Sequence, residues 1–171
     1  VDISGLAPKD AVREAEQLSI ESVSLVKNNR MLPFRKEDKV LILFPEIKLF
    51  SLVDNENQKY KTLGAYYHQD EIIYNRELNN LALIKEKANQ YDKIVLATYN
   101  VSKGDYQMQL FQALSKEKTV VVSLRSPYDI MHMGEVENYI CLYEATPLSL
   151  SSLAKCLCGE APFTGKVPVK L

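Results

Sequence analysis

The stretch from Thr119 to Ile130 constrains this chain more than any other. It opens with three consecutive valines and Leu124 around a single serine, then changes character at Arg125-Ser126-Pro127-Tyr128-Asp129. A short β-branched run without polar alternation predicts a strand buried on both faces, the kind found in parallel sheets covered by helices. Pro127 cannot donate to a strand ladder, and it biases Ser126 toward extended geometry. The strand therefore stops near Arg125, and charged and aromatic side chains collect in the loop at its C-terminal end. In open α/β sheets, ligands and neighbouring domains sit at that edge.

Similar apolar runs recur at residues 40–44, closed by Pro45, and at 94–99 and 139–143, with a shorter strand at 71–74. Helical patterns separate them. The first runs from Pro8 to about Val26, with Ala11, Ala15, Leu18, Ser22 and Leu25 on one stripe widened by Val12 and Val26. Ile20 and Val23 fall off that stripe, so the helix either faces two surfaces or ends early. Residues 31–34 read as a short extended segment. Further helices are expected within 52–67, over 78–88 with Leu83 off its stripe, from Tyr106 to an end in Lys116-Glu117-Lys118, and over 147–158 with Gly159 as C-cap. The segment 167–169 reads as an extended tail.

Strands alternating with long helical crossovers predict parallel pairing and right-handed connections. The expected fold is α/β: a doubly wound, mainly parallel sheet with helices on both faces. Residues 1–171 form one domain, and residues 1–34 supply an N-terminal helix and extended segment leading into it.

Composition narrows the function classes. With 46% hydrophobic residues, 25% charged residues and a formal net charge of -1, the chain is expected to be a soluble globular domain without an electrostatic nucleic-acid surface. No apolar run approaches the roughly 20 residues of a membrane span, and no signal-peptide pattern is present. The chain starts at Val1, which is read as a processed end or a piece of something longer. Cys141 is expected to be a buried strand residue, whereas Cys156 and Cys158 should point to different sides of a helix. Their C-x-C spacing is a poor zinc pattern, so structural or free thiols in a reduced, cytoplasmic setting are expected.

The common catalytic patterns are missing. The scattered glycines form neither a dinucleotide-binding nor a P-loop motif, and there is no G-x-S-x-G elbow. No cofactor and no metal are expected. His68 and His132 read as surface or packing residues, and Asp70-Glu71 and Glu135/Glu137 as solvated charges. The best-placed polar residues are Arg125, Tyr128 and Asp129 after the valine strand, with Tyr99 and Asn100 after the preceding one. They are candidates for contact with a ligand or a neighbouring domain; alternatively, Asp129 caps a short helix and Arg125 pairs locally.

Three ordered blocks carry a family resemblance. They are Ser19-Ile20-Glu21-Ser22-Val23-Ser24-Leu25-Val26-Lys27-Asn28 followed by Leu32-Pro33-Phe34, then Ser123-Leu124-Arg125-Ser126-Pro127-Tyr128-Asp129, and finally Gly159 to Val169. Together they resemble the C-terminal α/β domain of glycoside hydrolase family 3, in its bacterial β-N-acetylhexosaminidase-like branch. The last block looks like the family's Gly-x-Leu-Pro-Val close, with Val167 in the leucine's place. The resemblance implies a companion domain beside an N-terminal (β/α)8 barrel that carries the nucleophilic aspartate and the histidine loop. It also implies an enzyme that removes terminal sugars, with carbohydrate as a further partner. Neither barrel element is present here, no catalytic residue carries over, and the isolated chain is expected to be inactive. The alternative is a free-standing, non-catalytic α/β module for interaction or small-ligand binding. A flavodoxin-like or receiver domain fits less well, because the chain lacks a phosphate-cradling loop and a strand-end acid cluster.

Overall fold

The computed structural model describes residues 9–47, 61–77, 80–166 and 170–171. In chain order the elements are α1 (Lys9–Ser22), β1 (Ser24–Lys27), β2 (Val40–Pro45), β3 (Asp70–Tyr74), α2 (Leu81–Ala88), β4 (Lys93–Thr98), α3 (Tyr106–Gln112), β5 (Thr119–Ser123), β6 (Tyr139–Cys141) and α4 (Pro147–Leu157). Short 3-10 turns cover Leu63–Ala65, Lys116–Lys118 and Pro127–His132. The strands form one six-stranded sheet in the order β1-β6-β5-β4-β2-β3. Every neighbouring pair is parallel except β1, which runs antiparallel along β6.

The valine strand sits inside this sheet, with Val121 registered between Leu96 of β4 and Tyr139 of β6. All of its residues are buried, because both faces are covered. Val120 and Val122 pack with Ile42, Val95 and Ile140 against α4 and the 3-10 turn at Leu63. Val121 faces the other way with Leu41, Leu96 and Tyr139, against Ile84 and Ala88 of α2 and Leu110 and Phe111 of α3. Alternate side chains point to opposite faces of a strand, so a wholly apolar run feeds both cores at once.

The N-terminal region departs from expectation. The first helix ends at Ser22, and residues expected to prolong it form β1 instead. Val23 is fully buried and Ser24 pairs with Cys141, so the segment within residues 1–34 adds a strand to the domain rather than only leading into it. The sequence Ser22-Val23-Ser24-Leu25-Val26 also fits a period of two, and β6 offers the free ladder that decides between the periods. Residues 31–34 form no strand. The Asn28 side chain turns this segment by accepting from the amides of Met31 (3.0 Å) and Leu32 (3.1 Å). Met31, Leu32 and Phe34 are thereby placed in the core.

The helix expected within 52–67 lies largely outside the described residues, whose share of it contains only the 3-10 turn. Residues 78–79 of the expected third helix and the tail at 167–169 also lie outside them. Leu83 is exposed as expected, and Gly159 follows α4 at φ 81°. Cys141 and Cys156 are buried, and Cys158 is exposed.

Candidate functional site

Parallel strands all leave the sheet at one edge, which gathers the exits of β2 through β6. The chain passes from β2 outward to β3, then returns to place β4 on the other side of β2. The winding direction therefore reverses between β2 and β4, and crevices at such reversals are where open α/β sheets take ligands. A cleft of about 710 Å³ opens at this point. Glu46 and Ile47 reach it from the β2 exit, and Asn75, Arg76 and Glu77 from the β3 exit. Tyr99 and Asn100 contribute from the β4 exit, and Asp105, Tyr106 and Gln107 from the start of α3.

The cleft is polar, with aromatic sides. Among the described residues, Glu46, Glu77 and Asp105 oppose a single cation, Arg76. Asp105 is also the N-cap of α3, accepting from the Gln107 amide at 2.9 Å. Burial, and then the Asp105 charge, push the Tyr106 phenol above its ordinary range; Arg76 acts the other way and Glu46 reinforces the rise. Tyr106 therefore stays a neutral donor and acceptor at physiological pH, as an uncharged phenol suits hydrogen bonding to a polar ligand.

The β4 exit is held by buried polar groups from two sides. On one side, the Gln107 side chain is almost fully buried. Its Oε1 accepts from the Tyr99 amide at 2.8 Å, and its Nε2 donates to the Tyr99 carbonyl at 2.9 Å. On the other side, Asp129 is 1% exposed. Its carboxylate accepts from the Thr98 hydroxyl at 2.8 Å and the Val101 amide at 2.9 Å. Burial raises the Asp129 pKa, while the bonds from Thr98 and Val101 pull it down. Between the two holds, Asn100 takes φ 47°, a left-handed conformation uncommon for any residue but glycine.

The structure separates the residues singled out from sequence. Tyr99 and Asn100 line the cleft. Arg125 joins them indirectly, since its Nη1 donates to the Tyr99 hydroxyl at 3.2 Å and its guanidinium lies 5.9 Å from the ring centre. Tyr128 is 44% exposed on the 3-10 turn and does not line the cleft. Asp129 is turned inward and offers no surface to a ligand. The cap of that turn is Ser126, whose hydroxyl accepts from the Tyr128 amide at 3.3 Å.

His68 and His132 are exposed. Asp70 and Glu71 are bonded rather than free: Asp70 accepts from the Tyr91 hydroxyl, and Glu71 accepts from Thr62 and from the Gly64 amide at 2.8 Å. Among the described residues, no three His, Cys, Asp or Glu side chains come together as a metal site. No helix among them is long and apolar enough to cross a membrane. Sequence reading missed Glu46, Asn75, Arg76 and Tyr106. The first three follow predicted strands and Tyr106 opens a predicted helix, so they can be found once the strand order is known.

No protein-family profile and no curated protein sequence matches the chain. Solved structures do match it. A glycoside hydrolase family 3 β-N-acetylglucosaminidase from Paenibacillus sp. str. FPU-7 is similar over 95% of this chain and 33% of its own, with 24% identity and a TM-score of 0.76. A fungal multi-domain β-N-acetylglucosaminidase of the same family aligns with 98% of this chain and 20% of its own, at 22% identity and a TM-score of 0.75. A β-glucosidase from Listeria innocua aligns with 92% of this chain and 26% of its own, at 16% identity and a TM-score of 0.68. The fold is thus one that family 3 glycoside hydrolases carry, and the chain spans a third or less of the length of these structures.

Proposed function

We propose that this chain is the C-terminal companion domain of a family 3 glycoside hydrolase, in the β-N-acetylhexosaminidase-like branch. In this reading it packs beside a (β/α)8 barrel that carries the nucleophile, in an enzyme that removes terminal sugars. The observation that carries the reading is the match to the Paenibacillus β-N-acetylglucosaminidase over 95% of this chain. The ordered sequence blocks at both ends and at the valine strand point the same way. The cleft at the reversal point is then the candidate for contact with a sugar. Amides, a guanidinium and carboxylates beside Tyr99 and Tyr106 suit a polyhydroxylated ligand with an apolar ring face.

Glycoside hydrolysis requires an acid and a nucleophile or base set across one bond. Of the three carboxylates that the described residues bring to the cleft, Asp105 is committed to capping α3, which leaves Glu46 and Glu77 on exposed strand exits. The purified chain should therefore show no turnover of 4-nitrophenyl N-acetyl-β-glucosaminide. Turnover that survives repurification and disappears in Glu46→Gln or Glu77→Gln would mean that a complete active site lies in this domain. The intact mass of the native product checks the companion role: a product well above 19.5 kDa supports it, and one of that mass supports a free-standing module.

A further inference from the structure

The residues after β4 and β5 divide by burial into a wall and its support. We infer that Asp129 and Gln107 are positioning residues: together they hold the β4 exit so that Asn100 is fixed in its left-handed conformation on the wall of the cleft. The inference rests on the cleft being the site used in the proposed function.

Four hydrogen bonds make the hold. Gln107 takes both the amide and the carbonyl of Tyr99, and Asp129 takes the Thr98 hydroxyl and the Val101 amide. Asn100 lies between them and is itself exposed. A left-handed residue costs free energy unless its surroundings over-determine it, and such residues gather at functional sites. Here the over-determination is visible, because both flanking peptides are bonded to side chains that are themselves buried. Tyr74 extends the network from β3: its hydroxyl donates to the Ala97 carbonyl and lies 3.4 Å from Gln107 Oε1. Buried polar networks that are fully satisfied fix one backbone arrangement, and removing one partner leaves another orphaned. Arg125 then braces the Tyr99 ring from outside.

The test uses the 171-residue chain with Asp129→Ala, Asp129→Asn and Gln107→Leu. Asparagine keeps the shape: its Oδ1 accepts from the Val101 amide, and its Nδ2 donates to the Thr98 hydroxyl. Alanine removes both bonds. Gln107→Leu releases the opposite side, and provides the same readout should Asp129→Ala fail to fold. The first measurement is the intraresidue amide–Hα NOE of Asn100, which is strong only at positive φ. The wild-type chain and Asp129→Asn should keep it, and Asp129→Ala and Gln107→Leu should lose it while the amides of β4 and β5 stay protected from exchange. Persistence of the NOE in Asp129→Ala, or in Gln107→Leu if that is the folded variant, overturns the inference.

The second measurement is titration with N-acetylglucosamine, followed at the Asn100 and Tyr106 amides. The response should be retained in Asp129→Asn and weakened at least fivefold in the variants that lose the NOE. No response in the wild-type chain counts against the sugar reading alone, since the NOE decides the positioning role independently.

Discussion

Helices α1 and α4 pack on each other, and each carries an apolar stripe in its sequence, yet only one stripe is buried. α4 buries Leu150, Leu153, Ala154, Cys156 and Leu157 against the sheet. α1 has no buried residue, and Val12 and Leu18 on its predicted stripe are 54% and 67% exposed. α1 meets α4 along the flank that carries Ser19 and Ile20, where the Ser152 hydroxyl donates to the Ser19 hydroxyl at 2.8 Å and Ile20 packs on the core. Periodicity of 3.6 therefore identifies which side of a helix is apolar, but not whether this chain covers it. A helix in contact with the sheet must bury its stripe; one stacked on another helix is free to leave it outward. The contrast predicts a wide difference in what equivalent truncations cost.

The largest effect belongs to α4. Leu153 is fully buried in the cluster beneath the sheet. Leu153→Ala should destabilise the chain by about 3 kcal/mol, from lost transfer energy and the cavity left behind. Urea unfolding followed by circular dichroism checks it, with a shift in midpoint and an unchanged slope. A loss below about 1 kcal/mol would mean that α4 is not the covering helix of this face.

A middle effect belongs to the junction that anchors the C-terminal end of α1. Gly165 bridges to Ser24, and a Cβ built on it would fall well inside contact with the carbonyl oxygens of Glu21 and Val23. Those atoms are backbone, so they cannot swing aside. Gly165→Ala should cost about 2 kcal/mol, in the range of overpacked sites, and should free the segment around residue 165 to proteolysis. Equal stability and protease resistance in the variant would show that the end of α1 is not held here.

The same physics explains which parts of the molecule were legible. β5 was legible because four-sided burial demands apolar residues in succession, and Val120-Val121-Val122 can serve only that role. β1 was not, since Ser22-Val23-Ser24-Leu25-Val26 fits both a helical stripe and a two-residue alternation, and the choice rests on a ladder partner more than a hundred residues away. At the site, Tyr99 and Asn100 were found because they end a recognisable strand. Arg76 and Glu46 were not, because bringing them beside Asn100 requires the order of β2, β3 and β4 in the sheet. Asp129 was found by residue type, with its direction open between a ligand and a local cap, and only the closure of residues 98–101 over it makes it a buried acceptor.

The smallest effect belongs to the α1 stripe, and it tests the comparison most sharply. Leu18 is exposed in the folded chain and exposed when unfolded, so removing its side chain changes little apolar burial. Glutamine has nearly the helix propensity of leucine, which leaves few other sources of change. Leu18→Gln should therefore alter stability by less than about 0.5 kcal/mol, or about 1–2 °C in Tm for a domain of this size. A covered Leu18 would behave differently. Burying a leucine is worth about 1.5–3 kcal/mol, so a drop of several degrees would follow its loss. If the cover were a second copy of the chain, the wild-type Tm would also rise with protein concentration, and that dependence would vanish in Leu18→Gln. A concentration-independent Tm that barely moves on substitution is the expected result, and it places the apolar side of α1 in water in the isolated chain.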